Sequence, residues 1–181
     1  IKMGDLVAVL QVGGHLAQFA APEEILANPA SEFVARFVGA DRGLKRLSLS
    51  RVAELELRRV VTAKVGDDAA TARREAQADP FRYLLLVDDE NRPFGWIGED
   101  EIPTNGALTE SMAESMSPIL NRRTTLKDAL SLLLDADVQA GIVVDRKDRV
   151  LGLVTVDMIA ERMRETAGDN RFTPTLEEIG A

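Results

Sequence analysis

The chain is 181 residues long, 45% hydrophobic and 29% charged, with a formal charge of −8 at neutral pH. That composition is globular and fits one domain or two small ones, and the acidic balance argues against a general nucleic-acid binder, whose phosphate contacts need a net basic face. The absence of cysteine excludes disulfides, thiol catalysis and cysteine-type zinc sites, and no apolar run reaches the ~20 residues that span a bilayer.

The chain opens on Ile1 with what reads as mid-domain sequence, so a piece of a longer protein is expected. Leu6–Gln11 predicts a buried strand, Val12-Gly13-Gly14 a turn, and the alternation through His15–Phe19 a half-exposed second strand. His15 is the single histidine and has no partner at ligand spacing, so it reads as an exposed hairpin residue. Pro22-Glu23-Glu24 opens a helix, with proline in the first turn and two acids at the positive end of the helix dipole, and Asn28-Pro29 closes it. Ser31 caps a second helix that carries Phe33, Val34, Phe37 and Val38 on one face and stops at Gly39. The run formed by Gly4-Asp5, Gln18-Phe19, Pro22-Glu23-Glu24-Ile25-Leu26, Asn28-Pro29-Ala30 and Phe37-Val38-Gly39 resembles the end of the ATPase domain of ABC importers. In that family the phosphate loop, signature motif and catalytic glutamate lie upstream. No G-x-x-x-x-G-K-[ST] occurs in this sequence, so the chain is expected to hydrolyse no ATP by itself.

Residues 1–40 are therefore read as the remnant of an ATP-binding domain and 41–57 as a linker. The linker is basic within an acidic chain, through Arg42, Lys45, Arg46 and Arg51, and is read as a solvated connector. Asp41-Arg42-Gly43-Leu44-Lys45-Arg46-Leu47 resembles the glycine betaine/choline branch of the ABC ATPases.

Beyond the linker the sequence repeats. Leu86-Val87-Asp88 recurs as Val143-Val144-Asp145, Gly95 as Gly152, Asp100 as Asp157 and Ile102 as Ile159, each 57 positions later and without a gap. Asp68 and Thr125 stand at the same shift as candidate helix caps, followed by Ala69, Ala72 and Ala76 in one copy and Leu126, Ala129 and Leu133 in the other. Each copy reads as a β-α-β-β-α unit: a short strand (60–62; 118–120), a capped helix, a continuous apolar strand (83–87; 141–144), a polar turn, a glycine-containing strand (94–97; 151–154), and a final helix starting at Glu99-Asp100 and at Thr155-Val156-Asp157. Neither unit alone has much core, so the two are expected to bury their sheets against each other.

The order Ser117-Pro118, Thr125-Leu126-Lys127-Asp128-Ala129-Leu130, Gly141-Ile142-Val143-Val144-Asp145 and Gly152-Leu153-Val154-Thr155 resembles a CBS (cystathionine-β-synthase-type) domain, and the two copies together resemble a CBS pair, or Bateman module. The resemblance implies a mixed α/β (α+β) fold class: a tandem CBS pair, 58–110 and 111–166, preceded by a β-hairpin and helices from the end of an ABC ATPase, with a flexible tail expected at 167–181. The resemblance implies an adenine-nucleotide site between the copies. Ala140-Gly141-Ile142 would line the base with Ser117-Pro118-Ile119 opposite, Thr155 would reach phosphate and Asp157 the ribose hydroxyls. Tyr83 and Trp96 are the residue types that stack on a base, but Tyr83 is expected to pack in the strand layer and Trp96 to fill the interface between the copies. The family places its carboxylate three residues after the hydroxyl. Here that residue is Met158, and Asp157 comes one step early, turned by ~100° on the helix. In the first copy Gly98 replaces the hydroxyl and Glu101 takes the acid position.

The resemblance further implies AMP, ATP or cyclic di-AMP as regulatory ligand, a homodimer through the CBS pairs and importer membrane-spanning subunits as partners. It also implies a cytoplasmic place against the inner face of the membrane. A ligand-free dimerisation scaffold and an ionic-strength or membrane-surface sensor are the competing readings.

Overall fold

The structure is a computed structural model that describes residues 5–113, 117–136 and 138–167; the expected tail from 168 onward lies outside the described residues. The described residues divide into two compact units, 5–49 with 160–167, and 50–159.

In the first unit, strands β1 (Val7–Leu10) and β2 (Leu16–Ala20) pair antiparallel and are followed by helices α1 (Pro22–Ala27), α2 (Glu32–Val38) and α3 (Arg42–Leu49). Val9, Ile25 and Val34 form the small core. Gln18 ties the hairpin to the end of α1: its amide donates to Asn28 O at 3.0 Å and its carbonyl accepts from Ala30 N at 2.9 Å. Ser31 caps α2 by accepting from Val34 N at 3.3 Å, and Gly39 supplies the positive φ of +87° that ends it. His15 is exposed, as expected. Residues 42–49, read as a solvated connector, are helical instead. Leu47 is buried, and Arg46 donates to Met163 O at 3.0 Å. Arg42 and Lys45 of α3 stay exposed, Arg46 is half-buried, and the apolar side chain three after Leu44 turns inward.

The second unit holds both repeat copies. In the first, β3 (Thr62–Lys64), α4 (Ala69–Ala78), β4 (Tyr83–Val87) and β5 (Pro93–Gly98) form a sheet of order β3-β4-β5. In the second, β6 (Ile119–Asn121), α5 (Leu126–Leu134), β7 (Ala140–Val144) and β8 (Val150–Thr155) give the order β6-β7-β8, and α6 (Val156–Ala167) follows. Each sheet pairs its first two strands parallel and its last two antiparallel.

The duplication extends to backbone detail. The ladder slips between Leu86 and Val87, and again between Val143 and Val144, 57 residues on. Among the described residues, the non-glycine residues with positive φ form two pairs at the same shift, Arg82 with Gln139 and Asn91 with Asp148. Asp68 and Thr125 both cap their helices through the side chain. Leu85 N bonds Val61 O at 2.9 Å as Ile142 N bonds Pro118 O at 3.0 Å.

The two faces of β4 and β7 explain why these strands read as unbroken apolar runs. Leu84 and Leu86 meet Ala69, Ala72 and Ala76 of α4 within the first copy's own core, whereas Leu85 and Val87 join Val60, Trp96, Ile142, Val144 and Leu153 in a cluster drawn from both copies. Val87 and Val144 thus lie in one buried layer, as the expected burial of sheet against sheet requires. Residues 50–58 are strapped to the second copy: Val52 N reaches Thr124 O at 3.0 Å, Ala53 N reaches Arg122 O at 3.0 Å, and Arg58 exchanges bonds of 3.1 and 2.9 Å with Leu153. Val52 is fully buried. A Cβ on Gly152, whose φ is +153°, would lie 2.8 Å from Arg58 O, so the strap requires glycine there.

One expected element is absent. Residues 99–102 form turns rather than a final helix for the first copy. The acids Glu99-Asp100-Glu101 resemble a helix start, but Pro103 lacks an N–H and Gly106 takes φ +97°, so the helix has no way to propagate. Ile102 nevertheless keeps the fully buried place of its counterpart Ile159.

Candidate functional site

The second sheet brings most of the sequence-predicted residues to one end. Strand pairing sets Ala140 beside Thr155 and Ile119 beside Ile142, with Pro118 entering β6. β6 is an edge strand. Because the Pro118 carbonyl turns inward to Ile142 N, strand alternation turns the N–H and C=O of Ile119 outward. Thr155 closes β8 at the start of α6, and its Oγ1 accepts from Met158 N at 3.3 Å. The hydroxyl proton is then free to donate, next to first-turn N–H groups that have no intrahelical acceptor. Asp157 is exposed in that first turn.

Accessibility sorts the nine candidates. Ile119 and Asp157 are exposed, Tyr83, Pro118 and Thr155 half-buried, and Ser117, Ala140, Gly141 and Ile142 buried. A Cβ on Gly141 would lie 2.5 Å from Leu120 Cδ1, so this residue faces its own copy's core. The side chain of Ile142 belongs to the shared cluster. Ser117 accepts a hydrogen bond from the indole N–H of Trp96, which links the first copy's last strand to the entry of the second copy's first. Met158, at the position of the family's carboxylate, packs against the shared cluster.

The matching end of the first sheet is occupied by its own side chains. Tyr83 stands where the second copy has Ala140, and its ring lies 5.2 Å from Phe81 and 6.3 Å from Trp96. The Arg58 guanidinium sits 5.7 Å from the Phe81 ring and 2.7 Å from Asp79. Glu101 accepts from Gly98 N at 3.1 Å, taking the donor that an anion would need, and Arg82 pairs with Glu99 at 2.8 Å. Arg73 donates to Ile102 O at 2.6 Å and Arg74 to Thr71 Oγ1 at 3.0 Å, so both brace their own copy.

The turn after the middle strand carries a motif that the repeat predicted only in part. Asp145 accepts from Arg149 Nη2 at 2.6 Å and Nε at 2.8 Å, and from the backbone N–H groups of Lys147 and Arg149. Asp88 accepts from Arg92 Nε at 2.7 Å and from the backbone N–H groups of Glu90 and Arg92, while Arg92 Nη2 donates to Glu90. The Arg149 side chain first, then the backbone donors, hold the Asp145 carboxyl down to about 2; the Arg92 backbone N–H leads the lowering of Asp88. Both arginines fall at the 57-residue shift, which is the signal by which they could have been found. Among the described residues no cluster of histidine, cysteine and acids could hold a metal, and no helix is long and apolar enough to cross a membrane.

Residues 115–165 match the CBS domain model. The chain is 28% identical over 162 residues to the osmoprotectant import ATP-binding protein OsmV of Salmonella typhimurium, covering 89% of this chain and 42% of that protein. It is 30% identical over 162 residues to the glycine betaine/carnitine/choline transport ATP-binding protein OpuCA of Bacillus subtilis, covering 86% and 42%. The chain thus spans about two fifths of the length of these relatives. A crystal structure of CBSX2 in complex with AMP shares the fold, with TM-score 0.55 at 17% identity over 64% of this chain and 97% of that one.

Proposed function

We propose that this chain, with its CBS domain at 115–165 and its likeness to ATP-binding proteins of osmoprotectant importers, is the regulatory CBS pair of such a protein, and that it senses an adenine nucleotide or cyclic di-AMP. One observation carries the reading: the second sheet ends in an outward-facing edge at Ile119 and a hydroxyl at Thr155 whose oxygen is bonded to Met158 N and whose proton can donate, at the start of α6, while the equivalent end of the first sheet is filled by Tyr83 and Glu101. In the proposed complex the base hydrogen-bonds the Ile119 backbone beside Ser117-Pro118 and the buried Ala140-Gly141-Ile142 strand. Phosphate meets Thr155 and the first turn of α6, and Asp157 accepts from ribose. A ligand there can bias the parent ATPase only by binding one of its conformations better than another. The contact that would carry that preference to the first copy is Trp96 on Ser117.

The reading includes a homodimer through the CBS pairs, membrane-spanning importer subunits as partners of the parent ATPase, a place on the cytoplasmic face and no hydrolysis by this chain. Thermal-shift measurements with AMP, ADP, ATP and cyclic di-AMP test it. A ligand at 100 times its Kd adds about 2.7 kcal/mol of stability, and a shift is expected with at least one of the four. No shift with any of them rejects sensing and favours a ligand-free dimerisation scaffold, a reading supported by Met158 in the carboxylate position.

A further inference from the structure

The opposite end of the second sheet carries a different feature. β8 enters beside Val144 and leaves beside Ala140, so the Val144 end lies a strand's length from Thr155. Here a groove of about 720 Å³ is floored by the exposed Ile119 and Leu151 and rimmed by Arg122, Arg123 and Arg146. That volume falls within the roughly 300–1,000 Å³ of small-molecule pockets. Among the described residues none of the three guanidinium groups has an acid partner. Asp145 lines the groove too, but Arg149 engages it at 2.6 Å, and Asp148 is the one further acid on the rim.

The first copy serves as an internal control. At the positions of Arg122, Arg123 and Arg146 it has Val65, Gly66 and Asp89, and Asp89 is already paired with Lys64 at 3.2 Å. The positive rim is therefore specific to one copy of a duplicated fold within a chain of net charge −8. The nearby start of α5 cannot substitute for the arginines, since Leu126 N is bonded to Ser50 O at 2.9 Å and Asp128 N to Thr125 Oγ1 at 3.1 Å.

We propose that this groove binds the phosphate group of a small soluble phosphorylated ligand, held by Arg122, Arg123 and Arg146 with its apolar part on Ile119 and Leu151. Guanidinium forks suit phosphate oxygens bidentately. A concave site fits a solute better than a flat anionic bilayer, which would also meet the carboxylates of Asp145 and Asp148. The groove shares Ile119 with the Thr155 end, through its side chain rather than its backbone, but its arginines lie at the other end of the sheet and the proposal does not depend on the reading above.

The test is calorimetric titration of the whole chain with inorganic tripolyphosphate, together with amide NMR. Binding is expected to shift the amides of Arg122–Thr124 and Arg146–Asp148. It should weaken about tenfold in each of Arg122→Gln and Arg146→Gln, and weaken with added salt. Shifts confined to Val156–Met158, or an unchanged affinity in the double variant, would overturn the proposal. So would capture by phosphatidylglycerol vesicles through the same arginines with no response to tripolyphosphate, which would make the source a lipid headgroup. Because the NMR arm uses the unaltered chain, a variant that fails to fold leaves the localisation decisive.

Discussion

Replacing Gly152 with alanine tests the strap that ties residues 50–58 to the second copy. The added methyl would stand 2.8 Å from Arg58 O and 3.0 Å from Leu57 Cβ, both too close for a real contact, and Gly152 has φ +153°. Two costs follow. An alanine at positive φ costs about 1–2 kcal/mol. Displacing the strap also breaks the paired bonds between Arg58 and Leu153, 3.1 and 2.9 Å long, at about 1 kcal/mol each. Gly152→Ala is therefore expected to destabilise by about 3–4 kcal/mol. Gly66 separates the two costs: its φ is +94°, but nothing lies within 4 Å of the position its Cβ would take. Gly66→Ala should cost only the conformational part, about 2 kcal/mol less than Gly152→Ala. Urea unfolding followed by the fluorescence of Trp96, the single tryptophan and buried between the copies, reports on this unit alone. Equal losses in the two variants would refute the close approach of the strap.

Trp96→Phe leaves the buried Ser117 hydroxyl without its donor and should cost about 1–3 kcal/mol, with a double-mutant cycle against Ser117→Ala giving a coupling of about 1 kcal/mol by circular dichroism. Leu85→Ala, emptying a fully buried place in the shared cluster, should cost about 2–5 kcal/mol in the same assay. The Asp145 carboxyl should titrate near 2 by NMR. Its folded value lies below the unfolded one near 4, so its stabilising contribution is present above about pH 4 and fades as pH falls toward 2. Arg149→Gln should move that titration upward, and no movement would show that the guanidinium is not its main cause.

Much of the second unit was legible because duplication makes a sequence its own comparison. Leu86-Val87-Asp88 against Val143-Val144-Asp145 fixed the middle strands and their turns, and Asp68 against Thr125 fixed the helix starts. Positive φ at Arg82 and Gln139 left no mark, since neither residue type announces that conformation. The strap was illegible for another reason: Val52 and Arg58 bond to Thr124 and Leu153, partners too distant in sequence for local pattern to reveal. The first copy's final helix was misread because the match of Asp100 and Ile102 to Asp157 and Ile159 outweighed Pro103 and Gly106 downstream. At the candidate site, residue type alone could not say that Gly141 faces Leu120 or that the side chain of Met158 turns into the shared cluster. Those directions depend on which face of β7 and α6 each copy buries.

The difference between the two sheet ends is most directly measured by isothermal titration of the intact chain with AMP. Tyr83 and Glu101 fill the first end and Thr155 leaves the second able to donate, so one AMP per chain is expected, with affinity falling about tenfold in Thr155→Val and unchanged in Glu101→Gln. Two equivalent AMP molecules per chain, or one whose affinity follows Glu101 and ignores Thr155, would contradict it.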